Sequence, residues 1–304
     1  VVSEALGCLL LLWRWRGEFE TPLAAAYISL FHSISAFCNA GFALRAGSLR
    51  GVGPAGTACV LVLLVLGGLG FVTLLELGRS LRRRRSGARR FSLHARIVLL
   101  SSLLLLAGGA VPLALIEGEG WGDALFMSAT ARTAGFETVS VRGLSGASLL
   151  VLMFLMFIGA SPGSTGGGIK TTTFVALLGS LRATLRGEPA PRLLGREIPD
   201  SLVRRAFAVA VSSLLVVFGA VLLIVLFEPG GRGGFLGLAF EVVSAFGTVG
   251  LSTGVTPHLT AASKVLLCAV MFVGRVGSLS FFLLLLRDAS PSRVRYPEER
   301  VQIG

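Results

Sequence analysis

Charge is scarce in this chain: only 14% of its 304 residues are Asp, Glu, Lys or Arg, against 53% that are hydrophobic. Histidine occurs three times and cysteine four times. Cys8, Cys38, Cys59 and Cys268 are scattered through apolar segments without CxxC spacing, which argues against a disulfide framework or thiolate metal site and for small buried packing residues. His32, His94 and His258 have no partners at ligand spacing, and no nucleophile, base and acid come together along the chain. The sequence therefore reads as neither an enzyme nor a cofactor protein. A stretch of about 20 apolar residues spans the hydrocarbon of a bilayer. Crossings are expected at roughly 55–78, 95–116, 145–182 with an interruption, 203–227 and 261–286. Ala5 to Trp13 is apolar but too short to cross. Because the sequence opens on Val1 in what reads as half a helix, the expectation is a chain whose N-terminal part lies upstream.

Net charge is +12, and 26 of the 28 basic residues are arginine. Their position decides what they mean. Seven arginines fall between Arg79 and Arg90, six between Arg182 and Arg205, and four between Arg287 and Arg300. The other connections carry Glu18 and Glu20, then Glu117, Glu119 and Asp123, then Glu228. Arginine-rich loops mark the cytoplasmic side of a membrane protein, and these alternate with acidic or mixed loops as a multi-pass topology requires. The charge is topological, and a nucleic-acid partner is not expected.

Three short segments resemble one another: FHSISAFCNAGFAL from Phe31, FMSATARTAGFETV from Phe126 and FEVVSAFGTVGLST from Phe240. Each is a short semi-polar helix ending in a tripeptide closed by glycine: Asn39-Ala40-Gly41, Thr133-Ala134-Gly135 and Thr248-Val249-Gly250. A longer helix carrying its own glycines follows each one: Gly67, Gly68 and Gly70, then Gly159, then Gly274 and Gly277. The repeat predicts an all-α polytopic membrane protein of helix, short re-entrant helix, glycine turn and helix, at a period of roughly a hundred residues. Its units are expected at 1–85, 91–187 and 200–288, with a cytoplasmic tail at 289–304. Non-helical backbone at membrane depth is tolerated only where it lines a cavity or pathway. Carbonyls aimed at an axis can replace the hydration shell of a cation, and glycine permits the conformation that exposes them. Close helix packing is the alternative role for such glycines, and for Gly67 to Gly70 the two readings stand level.

The stretch SPGSTGGGIKTTT, Ser161 to Thr173, approaches a phosphate-binding loop. A Walker A motif, however, sets its lysine directly after the last glycine and follows a strand. Here Ile169 separates Gly168 from Lys170, and the preceding LLVLMFLMFIGA is a membrane helix. Pro162 and Gly166 to Gly168 break that helix. Each half, Leu149 to Ala160 and Ile169 to Leu181, measures about 18–20 Å at 1.5 Å per residue, so the loop lies inside the bilayer. A membrane ATPase using this loop remains the rival reading from another class.

In this order SAFCNAGF, TARTAGF, IGASPGSTGGGIKTTTF, SAFGTVGLSTG and FVGRVGSLSF resemble the membrane subunit of the Trk/Ktr/HKT potassium transporter superfamily, most closely the bacterial Ktr type. The resemblance implies four pore units around one axis, of which this chain holds the second, third and fourth. It implies a potassium filter from the carbonyls of Asn39, Ala40, Gly41, Thr133, Ala134, Gly135, Thr248, Val249 and Gly250, with potassium as the transported ion and sodium as a possible coupling or activating ion. A sodium-selective relative is the alternative, since serine in place of the first filter glycine accompanies sodium transport in plant relatives. It implies a gate made of Gly163, Ser164, Thr165, Gly166, Gly167, Gly168 and Lys170, with Arg275 beside it in the pore. It also implies a homodimer in the plasma membrane, with a cytoplasmic ring of nucleotide-binding regulatory subunits. Arg275 is read as lying far from both ends of its helix, and Arg132 as bracing its short helix. Glu137 departs from the family pattern, and either concentrates cations at the outer mouth or faces solvent.

Overall fold

A computed structural model describes residues 1–45, 47–82, 91–118, 120–230, 233–278 and 280. The expected tail at 289–304, Glu119 and the arginine run after Arg82 lie outside the described residues. Eleven α-helices account for nearly all regular structure among those described. They are α1 (Val2–Trp15), α2 (Pro22–Phe37), α3 (Pro54–Gly68), α4 (Phe71–Arg82), α5 (Leu93–Glu117), α6 (Trp121–Thr130), α7 (Gly146–Phe157), α8 (Thr171–Leu185), α9 (Asp200–Phe227), α10 (Gly234–Gly247) and α11 (Ala261–Val276). A two-stranded antiparallel hairpin, β1 (Arg192–Leu193) and β2 (Arg196–Glu197), joins α8 to α9.

Helix ends follow local chemistry. Thr21, Ser92, Ser145 and Thr260 each cap the helix they precede by accepting the backbone N–H three residues on. Pro22 and Pro54 occupy first helical positions, where a missing N–H costs nothing.

The arrangement repeats three times. A short helix (α2, α6, α10) packs on the helix before it (α1, α5, α9) and ends in a turn, beyond which the chain returns in α3, α7 or α11. The short helices occupy the centre. Every residue of α10 from Gly237 to Gly247 is buried, and α6 is buried from Phe126 to Thr130. The outer helices α5 and α9, of 25 and 28 residues, are strongly apolar and long enough to cross a bilayer. Their outward faces expose Leu103, Leu104 and Leu115 on α5 and Phe207, Leu215 and Phe218 on α9. A helix apolar on its outside as well as its inside has lipid for solvent, so the fold is an all-α polytopic membrane protein.

Three expectations need correction. The crossing at 55–78 is no single rod: α3 and α4 meet at 106°, because Gly70 turns the backbone to φ +81° between them. The last span is broken: α11 stops at Val276, Gly277 takes φ +94°, Ser278 and Ser280 are helical again, and 281–286 lie outside the described residues. Arg275 is therefore in the final turn of α11, near its end and not far from it. The interruption expected within 145–182 is present, between Phe157 and Thr171.

Candidate ion pathway

Each short helix ends on the same backbone device. The first residue of each tripeptide, Asn39 (φ +49°), Thr133 (+88°) or Thr248 (+52°), is left-handed although not glycine, and the closing glycine is left-handed again: Gly41 (+72°), Gly135 (+80°), Gly250 (+94°). Such a conformation in a threonine is costly and persists only where the surroundings impose it.

The imposing groups are visible. Ala40 and Val249 donate their N–H back to the carbonyls of Ser35 and Ser244, at 2.8 and 2.9 Å, and Ala134 donates to Thr130 at 2.9 Å. The side chains of those three acceptor residues then reach forward. Ser35 Oγ donates to the carbonyl of Phe42 (2.8 Å), Thr130 Oγ1 to Phe136 (2.8 Å) and Ser244 Oγ to Leu251 (2.7 Å). Each accepting carbonyl belongs to the residue just after the turn glycine. A buried hydroxyl thus pins the exit of all three turns, a feature the sequence reading missed; its signal is a Ser or Thr five or six residues before each turn glycine.

The turns also touch one another. A Cβ on Gly41 would strike the carbonyl of Ala134 and lie 3.2 Å from Gly135 Cα, and one on Gly135 would strike the carbonyl of Val249. Glycine is required there on two counts, backbone conformation and space.

Directly against the turns lies the loop between α7 and α8. It doubles back on itself: Ile169 donates its N–H to Phe157 O (3.1 Å) and Thr171 to Ala160 O (3.4 Å), and a Cβ on Gly159 would meet the carbonyl of Gly167. Three consecutive loop residues face the equivalent residues of three turns. Thr165 is hydrogen-bonded to the Asn39 amide at 3.1 Å; Gly166 has no room for a Cβ beside Thr133 Oγ1, nor Gly167 beside Thr248 Oγ1. Both threonine hydroxyls are buried without a partner. Two cations grip the loop: Lys170 Nζ donates to Gly166 O at 2.6 Å, and the Arg275 guanidinium donates to the carbonyl of Thr165. Neither makes an ion pair among the described residues. The N–H groups of Ser161, Ser164, Ile169 and Thr171 are all donated to protein carbonyls, so they are not free to hold an anion.

Around this centre, Glu241 of α10 is buried and holds the segment after the third turn. Its Oε1 accepts from Ser252 Oγ (2.8 Å), Thr253 N (2.9 Å) and Thr253 Oγ1 (3.0 Å), and its Oε2 from Thr256 Oγ1 (2.5 Å). Sequence reasoning passed over it. Arg132 is buried and binds Ser102 on α5 through Ser102 O (3.4 Å) and Ser102 Oγ (3.2 Å), which braces α6. Glu137 is half-buried and lies 3.6 Å from the Arg50 guanidinium. Burial holds its carboxyl above the usual range, while Arg50 and Arg142 pull the other way. His32 bonds the carbonyl of Ile28 at 2.8 Å and stacks edge-on to Trp15. The described residues contain no group of three metal-ligating side chains.

Comparison with known proteins bears on the family and the fold. Residues 19–293 match the family model of TrkH, described as a cation transport protein. The chain is 36% identical over 292 residues to the Ktr system potassium uptake protein B of Bacillus subtilis, covering 91% of this chain and 64% of that protein. It is also 36% identical to the potassium/sodium uptake protein NtpJ of Enterococcus hirae, covering 100% of this chain and 70% of that protein. Among solved structures, the potassium transporter TrkH of Vibrio parahaemolyticus superposes with a TM-score of 0.72 at 20% identity, over 94% of this chain and 62% of that one. This chain therefore spans about two thirds of the length of the relatives it matches. With the family model covering nearly all of it, the chain belongs to the TrkH cation transport protein family.

Proposed function

We propose that the full-length protein takes up potassium across the plasma membrane, through a pathway of which this chain supplies three of four units. The observation that carries the reading is the contact between the three left-handed glycine turns. Gly41 abuts the turn of Gly135, and Gly135 that of Gly250. Such turns present backbone carbonyls where an entering cation exchanges water for protein oxygen. The chain of contacts runs from the first turn to the third, which leaves a place beside Gly41 and Gly250 for a further unit. The units are those at 1–85, 91–187 and 200–288.

The loop from Gly163 to Lys170 serves as the gate. Lying against the turns with Lys170 and Arg275 bound to its carbonyls, it puts backbone and two positive charges in the way of a cation; conduction requires that it withdraw. The inserted Ile169 and the membrane helix before the loop favour this reading over a phosphate loop. Sodium is the second reading, because one relative is named for both ions. Control is assigned to a cytoplasmic ring of nucleotide-binding subunits acting on a homodimer, in keeping with relatives that are parts of a Ktr system. Expression of the full-length protein in a bacterium lacking potassium uptake tests the function. Growth at low potassium is expected; no growth despite normal protein in the membrane would reject it.

A further inference from the structure

We infer that the elbow between α3 and α4 is the dock that holds the loop beneath the turns, with Asn39 as its positioning residue. This rests on the loop being the gate. A break in a helix frees carbonyls at the end of one half and N–H groups at the start of the other, and buried groups of this kind need partners. At the elbow the loop supplies them. The carbonyl of Gly68, last residue of α3, accepts from Ser161 N at 3.1 Å, and Phe71 N, first of α4, donates to Gly163 O at 3.1 Å. Between them Gly70 packs so tightly on the loop that a Cβ would strike the carbonyl of Pro162.

Asn39 completes the joint. In the orientation that satisfies both ends of its amide, the nitrogen donates to Leu64 O (3.1 Å) and the oxygen accepts from Gly68 N (3.2 Å) and Thr165 Oγ1 (3.1 Å). Leu64 O and Gly68 N are the two groups that one helical rung would pair. One amide therefore bridges the end of α3 and the loop from within a filter turn. Ser161, Gly163 and Thr165, alternate residues of the loop, are all held by the unit at 1–85, while Gly166 and Gly167 lie against the turns of Thr133 and Thr248.

The mechanical consequence is direct. Withdrawal of the loop strips partners from Gly68 O and Phe71 N, so loop and elbow move together or the cost of two unpaired groups is incurred. α4 is amphipathic and leads toward the arginine-rich segment assigned to the cytoplasm. It is the lever by which the cytoplasmic side reaches the gate.

Three variants of the full-length protein test the dock. Phe71→Pro deletes the N–H that binds Gly163 at a position where a helix tolerates proline. Thr165→Val deletes the hydroxyl. Asn39→Gly removes the amide and keeps the left-handed backbone. Each is made with Ser164→Cys in a background without the native cysteines. Two rates are read in proteoliposomes: labelling by an impermeant maleimide from the cytoplasmic face, and potassium flux. Losing one hydrogen bond shifts loop opening roughly three- to tenfold, so labelling and flux both rise by that factor. In the Asn39→Gly/Thr165→Val double variant the effects do not add. Unchanged labelling in both Phe71→Pro and Thr165→Val overturns the dock, and additive effects overturn the role of Asn39. Faster labelling at unchanged flux upholds the dock and rejects the loop as gate.

Discussion

The turns and the loop are both glycine-rich, both irregular and both buried in a membrane protein, yet they are held in opposite ways. Each turn is tied to its own helix: a backbone N–H reaches back four or five residues, a hydroxyl of that helix reaches forward, and the closing glycine presses on the neighbouring turn or is pressed by it. The loop, besides the bonds it makes within itself, is anchored by distant parts of the chain, namely Gly68, Phe71, Asn39 and Arg275. Local bonds make a rigid frame, and distant ones can be released without unravelling the helices that bear them. That is the division of labour the proposed filter and gate would require.

The sharpest way to break the comparison is to disturb the turns. Gly135→Ala places a Cβ against the carbonyl of Val249 at a left-handed position. Potassium flux is expected to fall to background, measured in proteoliposomes at matched protein. An alanine that leaves flux and selectivity intact would mean that these turns do not form the pathway.

Release of the loop should act in the other direction. Arg275→Ala removes the guanidinium bound to Thr165, and shortening the Gly163 to Gly168 run removes backbone from the path. Both raise flux, on the order of tenfold for a barrier change of about 1.4 kcal/mol. Lower flux in both, with normal protein in the membrane, contradicts the gate.

Glu241 marks the edge of the frame. Replacing its carboxylate, which gathers four hydrogen bonds from residues 252–256, by the amide of Glu241→Gln leaves donors facing an NH₂ group. A loss of about 2–3 kcal/mol is expected, read as a lower unfolding temperature in detergent together with a reduced preference for potassium over sodium. A stability loss without any selectivity change would confine Glu241 to holding the fold.

The smallest effect is at Glu137. Burial raises its carboxyl in the folded protein, so the folded state holds the proton more tightly than the unfolded one. Its contribution is full below the unfolded value near 4.5 and is lost as pH rises through the higher folded value. Glu137→Gln should flatten that part of the pH dependence and shift the unfolding temperature by only about 1–2 °C at neutral pH. An unaltered pH profile would show that this group is not the one titrating.

Much of the frame was legible in the sequence because it is repeated. Three copies of a short helix closed by glycine stand out, and Pro162 with Gly166 to Gly168 announce a break that hydropathy alone would hide. Other features left no comparable trace. Hydropathy runs unbroken from 55 to 78, and Gly67 to Gly70 suit a packed helix as well as an elbow; only the loop, some 90 residues away, supplies the partners that make the bend affordable. Glu241 reads as one acidic residue in an apolar helix until the chain folds Thr253 and Thr256 back onto it. Arg275 looked central because apolar sequence continues beyond it, whereas Gly277 ends the helix two residues later. The hairpin at Arg192–Glu197 was also missed, although Leu194 and Gly195, both at positive φ, make the two-residue turn that joins its strands.

The central claim is that the glycine turns select the ion. It is tested most directly by Gly250→Ser in the full-length protein, with potassium and sodium fluxes measured on the same proteoliposomes. The account predicts a fall in the potassium-to-sodium ratio; a ratio equal to that of the unaltered protein, at comparable total flux, would contradict it.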